Sequence, residues 1–195
     1  MITRRLFCTS ALASASFAAP LKAHHTNKSQ SYEVPAEHEP RIVELDEYIP
    51  AGEIHVDPNF FALYLTLPDY KAWRYSVGVA GPDLWEPGEY HVQWKAKWPS
   101  WRPTNAMIKR NPAAYAKYRN GMPGGPRNPL GARALYLFQG NRDTYLRIHG
   151  TTQPWTIGTA VSNGCARLVN DHVIDLYNRT QKGARVVLHP RWRDV

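Results

Sequence analysis

Between Arg41 and His189 the apolar positions come in short runs, several of them alternating with polar ones. The runs are RIVELDEYI (41–49), EIHVD (53–57), FFALYLTL (60–67), WRYSVGVA (73–80), EYHVQWKAKW (89–98), ARALYLFQ (132–139), TYLRIHG (144–150) and ARVVLH (184–189). They are rich in β-branched and aromatic residues and are bounded by Gly, Pro, Asp or Asn. Successive side chains of a strand point to opposite faces, so these runs predict strands of a mainly β fold. Two stretches read as helices instead. Asn111-Pro112, followed by AAYAKYRN and Gly121, supplies a cap, a first-turn proline and a glycine stop. Asn170-Asp171 opens HVIDLYNRT, with Val173, Ile174 and Tyr177 on one face and Gly183 just beyond its end. Between the strands, Pro99 to Asn128 is a long excursion of prolines and glycines around one short helix, as expected of a lid or binding loop.

The ends of the chain change the picture. MITRRLFCTSALASASFAAPLKA carries two arginines, a weakly apolar run from Leu6 to Ala19 and small residues, with no acid before Glu33. That is the layout of a cleaved export signal, too short to anchor in a bilayer, and Thr3-Arg4-Arg5-Leu6-Phe7 fits either a twin-arginine or a Sec route. Residues 1–23 are therefore expected to be removed, 24–40 to form a polar linker or extended arm, and 41–195 to form one domain, in the periplasm or an equivalent exported location. Without Arg4, Arg5 and Lys22 the chain keeps 24 − 3 = 21 basic residues against 16 acids, or +5. A basic exported protein suits anionic envelope partners, and no Lys/Arg run is dense enough to suggest nucleic acid.

Export also sharpens the cysteine question. Cys8 leaves with the signal, so the mature chain holds Cys165 alone, where exported domains ordinarily use cysteines in pairs. It is either a buried small hydrophobe or a reactive thiol. A thiolate attacks carbonyls but needs a base or a positive setting to form near neutral pH. His149 ends the alternating run TYLRIH, where a strand would fix it. Gly164 permits a tight turn and the close approach of backbone amides that an oxyanion needs. Asn170 and Asp171 place a helix start nearby. His149, His172 and His189 show no metal-ligand spacing, and neither metal nor other cofactor is expected.

Taken together, HGT at 149–151 and S-x-G-C-x-R at 162–167 resemble the signature of the L,D-transpeptidase catalytic domain, the YkuD-type family. Trp101-x-Pro103, PGGPRNPLG at 123–131 and ALYL before RIHGT follow that family's order, and EPGEYHV around Gly88 corresponds loosely to its usual TPxGxF turn. The resemblance runs from about Ile54 to Leu188. It implies a single-domain β-sandwich or mixed sheet and a cysteine acyltransferase acting on peptidoglycan stem peptides. Cys165 would be the nucleophile and His149 the base, oriented by the Gly150 carbonyl. Asn163, Gly164 and Ser162 would surround the oxyanion. Arg167 would hold a substrate carboxylate, brace the loop or form a structural salt bridge, and Trp155 would line the groove. The acyl acceptor could be an amine of another stem, an amine of an envelope protein, or water; a non-catalytic wall-binding protein is the competing class. The chain departs from the common pattern at Asn163, where many members carry His, and at Glu86, where the turn usually carries Thr.

Overall fold

The computed structural model describes residues 32–192. The expected export signal, with Cys8, lies outside the described residues. In chain order the strands are β1 (Arg41–Glu44), β2 (Ile54–Asp57), β3 (Ala62–Leu67), β4 (Lys71–Ser76), β5 (Val79–Ala80), β6 (Gly88–Lys97), β7 (Arg133–Gln139), β8 (Arg142–His149), β9 (Ala160–Ser162), β10 (Ala166–Arg167) and β11 (Arg185–Leu188). The helices are α1 (Asn105–Arg110), α2 (Pro112–Tyr115) and α3 (Asn170–Arg179).

Nine strands form one mixed sheet in the order β1-β4-β3-β2-β11-β6-β7-β8-β10. The last strand of the chain, β11, enters the middle, parallel to β2 and antiparallel to β6. There Ile54, Val56, Val186 and Leu188 are almost wholly buried, which explains why these strands read as apolar runs. β10 is parallel to β8, and Gly78, two residues beyond β4, bridges to Arg167 of β10. That bridge ties the chain beyond β4 to the β10 edge, and the core gathers Leu63, Tyr75, Leu135, Leu137, Ile148 and Leu168. β5 pairs in parallel with β9 as a small second sheet.

α3 packs against β7 and buries Val173 and Leu176. Its outer side is tied to the sheet by Asp175, which accepts from the Tyr75 hydroxyl at 2.6 Å and from Arg179 Nε at 2.8 Å. The mainly β, single-domain expectation holds, with several local differences. The 41–49 run is a strand only over its first four residues, and the 73–80 run breaks at Val77-Gly78 into β4 and β5. The end of the expected arm is docked: Glu39 Oε2 lies 3.3 Å from His172 Nε2 on α3. Among the described residues, no helix is long and apolar enough to cross a membrane.

From Trp98 to Gly131 the chain leaves the sheet and closes on itself. Trp101 and Met122 exchange backbone hydrogen bonds of 2.9 and 2.7 Å, and the Asn128 amide donates to the carbonyls of Met122 and Pro123. Thr104 caps α1 through Met107 N, and Asn111 caps α2 through Ala114 N. The sequence predicted α2 from Asn111-Pro112 but not α1. Neither helix contains a buried residue, and the aromatic face of Trp101 against Tyr115 and Tyr118 supplies what packing there is.

Candidate functional site

The β8–β10 register builds the site. Ala166 pairs with Ile148 and Arg167 with His149, so Cys165, one step before β10, lies beside Arg147. Ala166 and Ile148 point into the core, at 3% and 0% exposure. Strand alternation therefore turns Cys165, Arg167, Arg147 and His149 to the other face. There they line one cavity of about 750 Å³. A two-residue parallel ladder is enough to bring a thiol and an imidazole, remote in sequence, to one wall.

His149 Nδ1 donates to the carbonyl of its neighbour Gly150 at 2.5 Å, which fixes the ring and leaves Nε2 as its acceptor. The glycine is demanded by packing: a Cβ at Gly150 would lie 2.3 Å from Asn170 Oδ1, the atom that accepts from Ala132 N at 2.9 Å. Asn170 thus braces the turn after β8 rather than capping α3. Burial holds the His149 imidazole down to about 3, with the positive charge of Arg167 adding to it; the Gly150 carbonyl opposes and the Arg147 charge assists. The ring is neutral across the ordinary pH range.

Burial likewise pushes the Cys165 thiol up. The Arg147 backbone N–H and the charges of Arg147 and Arg167 oppose this, and the Glu86 carboxylate reinforces it. Cys165 Sγ lies 4.0 Å from the Tyr145 carbonyl. Burial thus favours the uncharged form of both the thiol and the imidazole that line this wall.

The loop ahead of β10 is tied through Ser162 and Asn163. Ser162 Oγ donates to the Cys165 carbonyl at 2.5 Å. Asn163 reaches outward: its Oδ1 accepts from Arg110 Nη2 at 2.7 Å and its Nδ2 donates to the Tyr115 hydroxyl at 2.8 Å. Gly164 has φ +129°, where a side chain is strained, and a Cβ there would meet Leu146 Cδ2 at 3.1 Å. Arg167 is largely buried, with Nη1 3.3 Å from Thr156 Oγ1 and Nε without a hydrogen-bond partner among the described residues. It has no carboxylate partner among the described residues, so the salt-bridge alternative is not what the structure shows.

Trp155 does not join this group. It lies in a single 3-10 turn, Pro154–Thr156, is 57% exposed and is not among the residues lining the cavity. Its sequence position between the two motifs did not translate into a place in the lining: Thr152 and Gln153 still line the cavity, but by Gly158 and Thr159 the chain is bonded to Val77 and Val79 beside β5. The excursion supplies the opposite case. Trp101, Met107, Arg110, Tyr115, Tyr118 and Met122 all line the cavity. Of that segment's cations, Arg102, Arg110 and Arg127 reach the cavity, while Lys109, Lys117 and Arg119 do not. Tyr145 was also not anticipated. Asp143, which clamps the Arg147 guanidinium at 2.7 and 2.8 Å, accepts from Tyr145 N as well, and Tyr145 sits at φ +61°, 70% exposed, beside the thiol. A bulge in the β7–β8 pairing, invisible to simple alternation, puts it there.

Residues 52–188 match the L,D-transpeptidase catalytic domain model, and the chain belongs to that family. It is 34% identical over 110 residues to the probable L,D-transpeptidase YbiS of Escherichia coli, a match that covers 56% of this chain and 34% of that protein. It is 35% identical over 116 residues to the putative L,D-transpeptidase YqjB of Bacillus subtilis, covering 58% and 57%. The chain thus spans less than two thirds of these relatives. Among solved structures, a Brucella melitensis protein described as a probable carnitine operon oxidoreductase is 48% identical, with a TM-score of 0.55, over 76% of this chain and 91% of that one. L,D-transpeptidase 3 of Mycobacterium tuberculosis, 16% identical with a TM-score of 0.53 over 72% and 61%, shares the fold.

Proposed function

We propose that this protein is an exported cysteine acyltransferase of peptidoglycan. Cys165 attacks the L-to-D peptide bond after the third residue of a tetrapeptide stem, His149 Nε2 takes the thiol proton and returns it to the leaving amine, D-alanine departs, and a thioester remains on Cys165. An amine of another stem, or of an envelope protein, then takes the acyl group. The observation that carries this reading is the β8–β10 register, which sets Cys165 and a neutral, tautomer-fixed His149 on one cavity wall. Backbone amides around Gly164 and Cys165 are the candidates for the oxyanion.

The cavity's charge supports an anionic donor. Arg147 is neutralised by Asp143, but Arg102, Arg110, Arg127 and Arg167 face the same space with no carboxylate partner among the described residues. A stem peptide, with its free carboxylates, is complementary to that field. The export signal at 1–23, through either route, would deliver the domain to this substrate. The test is incubation of the purified protein with muropeptides and mass analysis of the products: loss of the terminal D-alanine with a crosslinked or amine-exchanged product is expected, and Cys165→Ala should abolish it. Equal product from Cys165→Ala would remove thiol catalysis.

A further inference from the structure

One carboxylate stands apart in this basic cavity. Of the acidic side chains among the described residues, Glu86 is the one that lines it. Its position is built: the neighbouring Trp85 is 7% exposed and donates from Nε1 to the His189 carbonyl at 2.8 Å, and the Tyr90 hydroxyl donates to the Glu86 carbonyl at 3.0 Å. The backbone of Glu86 is thus pinned on both sides, while its carboxylate has no hydrogen-bond or ion-pair partner among the described residues, although four arginines without a carboxylate partner among the described residues share the cavity. The turn that bears it abuts the nucleophile loop, since a Cβ at Gly164 would lie 3.8 Å from the Leu84 carbonyl.

We infer that Glu86 is the acceptor-side residue of the cavity, holding the ammonium group of the incoming amine beside the thioester while the arginines hold the carboxylates of the donor. This rests on the acyltransferase reading above. The chemistry asks for such a group. Four arginines that favour an anionic donor also repel a cationic acceptor, and a single carboxylate on a pinned backbone offsets that repulsion at one place. The ammonium loses one proton to solvent on arrival. The resulting amine then attacks the thioester carbonyl: the C–N bond forms, the C–S bond breaks, and the second nitrogen proton passes through His149 Nε2 to the departing thiolate, restoring the thiol. Glu86 binds and positions; it does not touch the proton that His149 carries.

The readout is the partition of the Cys165 thioester between amine and water, which does not depend on how fast the thioester forms. The protein is incubated with a tetrapeptide-stem donor and either a diaminopimelate-bearing stem, whose amine is charged near neutral pH, or hydroxylamine, which is mostly uncharged there. In Glu86→Gln the amide-to-hydrolysis ratio with the charged acceptor should fall about threefold to fivefold, the scale of one partly solvated ion pair, with no matching fall for hydroxylamine. Glu86→Asp should recover part of the loss. An unchanged ratio in Glu86→Gln, or equal losses with both acceptors, overturns the assignment. Absence of any thioester in the unsubstituted protein would instead overturn the acyltransferase reading, and the acceptor role with it.

Discussion

The β7–β8–β10 ladder and the 98–131 excursion meet at the same cavity but are held by different physics. The ladder is a set of backbone hydrogen bonds over buried Leu135, Leu137 and Ile148, and the residues it aims at the cavity are fixed by register. The excursion has two helices with no buried residue, closes on itself through Trp101 and Met122, and reaches the nucleophile loop through the Asn163 bonds to Arg110 and Tyr115. Burial is what makes a position costly to change. Under the proposed function, the ladder would carry chemistry and stability together, and the excursion's two helices would serve substrate fit at little stability cost.

The largest effect should come from the ladder's own base. His149→Gln, which keeps most of the side-chain volume, should lower kcat/KM by about a hundredfold to ten-thousandfold. The pH profile sharpens this. On the proposed mechanism activity requires neutral His149, and burial lowers that group to about 3, so the acidic limb of kcat/KM in the parent should lie well below pH 6.5. In the variant the limb should vanish and residual activity should climb toward alkaline pH, as the raised thiol ionises unaided. A parent limb at or above pH 6.5 would mean a solvated or ion-paired histidine.

Next in size is the ladder's packing. Ile148→Ala should cost about 2–5 kcal/mol of unfolding free energy, read as a shift in the urea midpoint. A loss below about 1 kcal/mol would show that the ladder is not what stabilises the site. Across the comparison, Tyr115→Phe deletes only the hydroxyl that accepts from Asn163. Stability should move by no more than about 1 kcal/mol, while KM for the donor rises several-fold. Unchanged kinetics would reduce the excursion to scaffold.

The smallest effect is a matter of acid stability. His149 and His172 are both held below their ordinary value, chiefly by burial. Unfolded, they take up protons near pH 6.5; folded, they resist, so the unfolded state binds more protons just below that pH and stability declines as pH falls through this window. His172→Gln should make urea midpoints between pH 6.5 and 5 decline less steeply than in the parent. An identical slope would assign the acid sensitivity elsewhere.

How far these regions could be read from sequence differs in the same way. β6 was legible because alternation is a local property, β3 because its apolar run is continuous, and α3 because its apolar face and its end signals lie within a few residues. HGT and S-x-G-C-x-R marked His149 and Cys165 because, in that order, they resemble the family's signature; the residues alone were weak signals. What brings the two together is β10, two residues long and too short to have any pattern. α1 was missed although Thr104 is a usable cap, since no apolar stripe follows it. Trp155 was misplaced because sequence proximity to the motifs says nothing about which way a loop turns. Tyr145 depends on a bulge, and the bonds of Asn163 on a tertiary contact with residues about 50 positions away.

The central claim is that the β8–β10 ladder makes Cys165 the acyl carrier. It is tested most directly by rapid acid quenching of the protein mixed with a tetrapeptide-stem donor, followed by intact-mass measurement and peptide mapping. The account predicts one adduct, the mass of the donor less D-alanine, on the peptide containing Cys165 and sensitive to hydroxylamine. An adduct on any other residue, or donor turnover with no covalent intermediate, would contradict it.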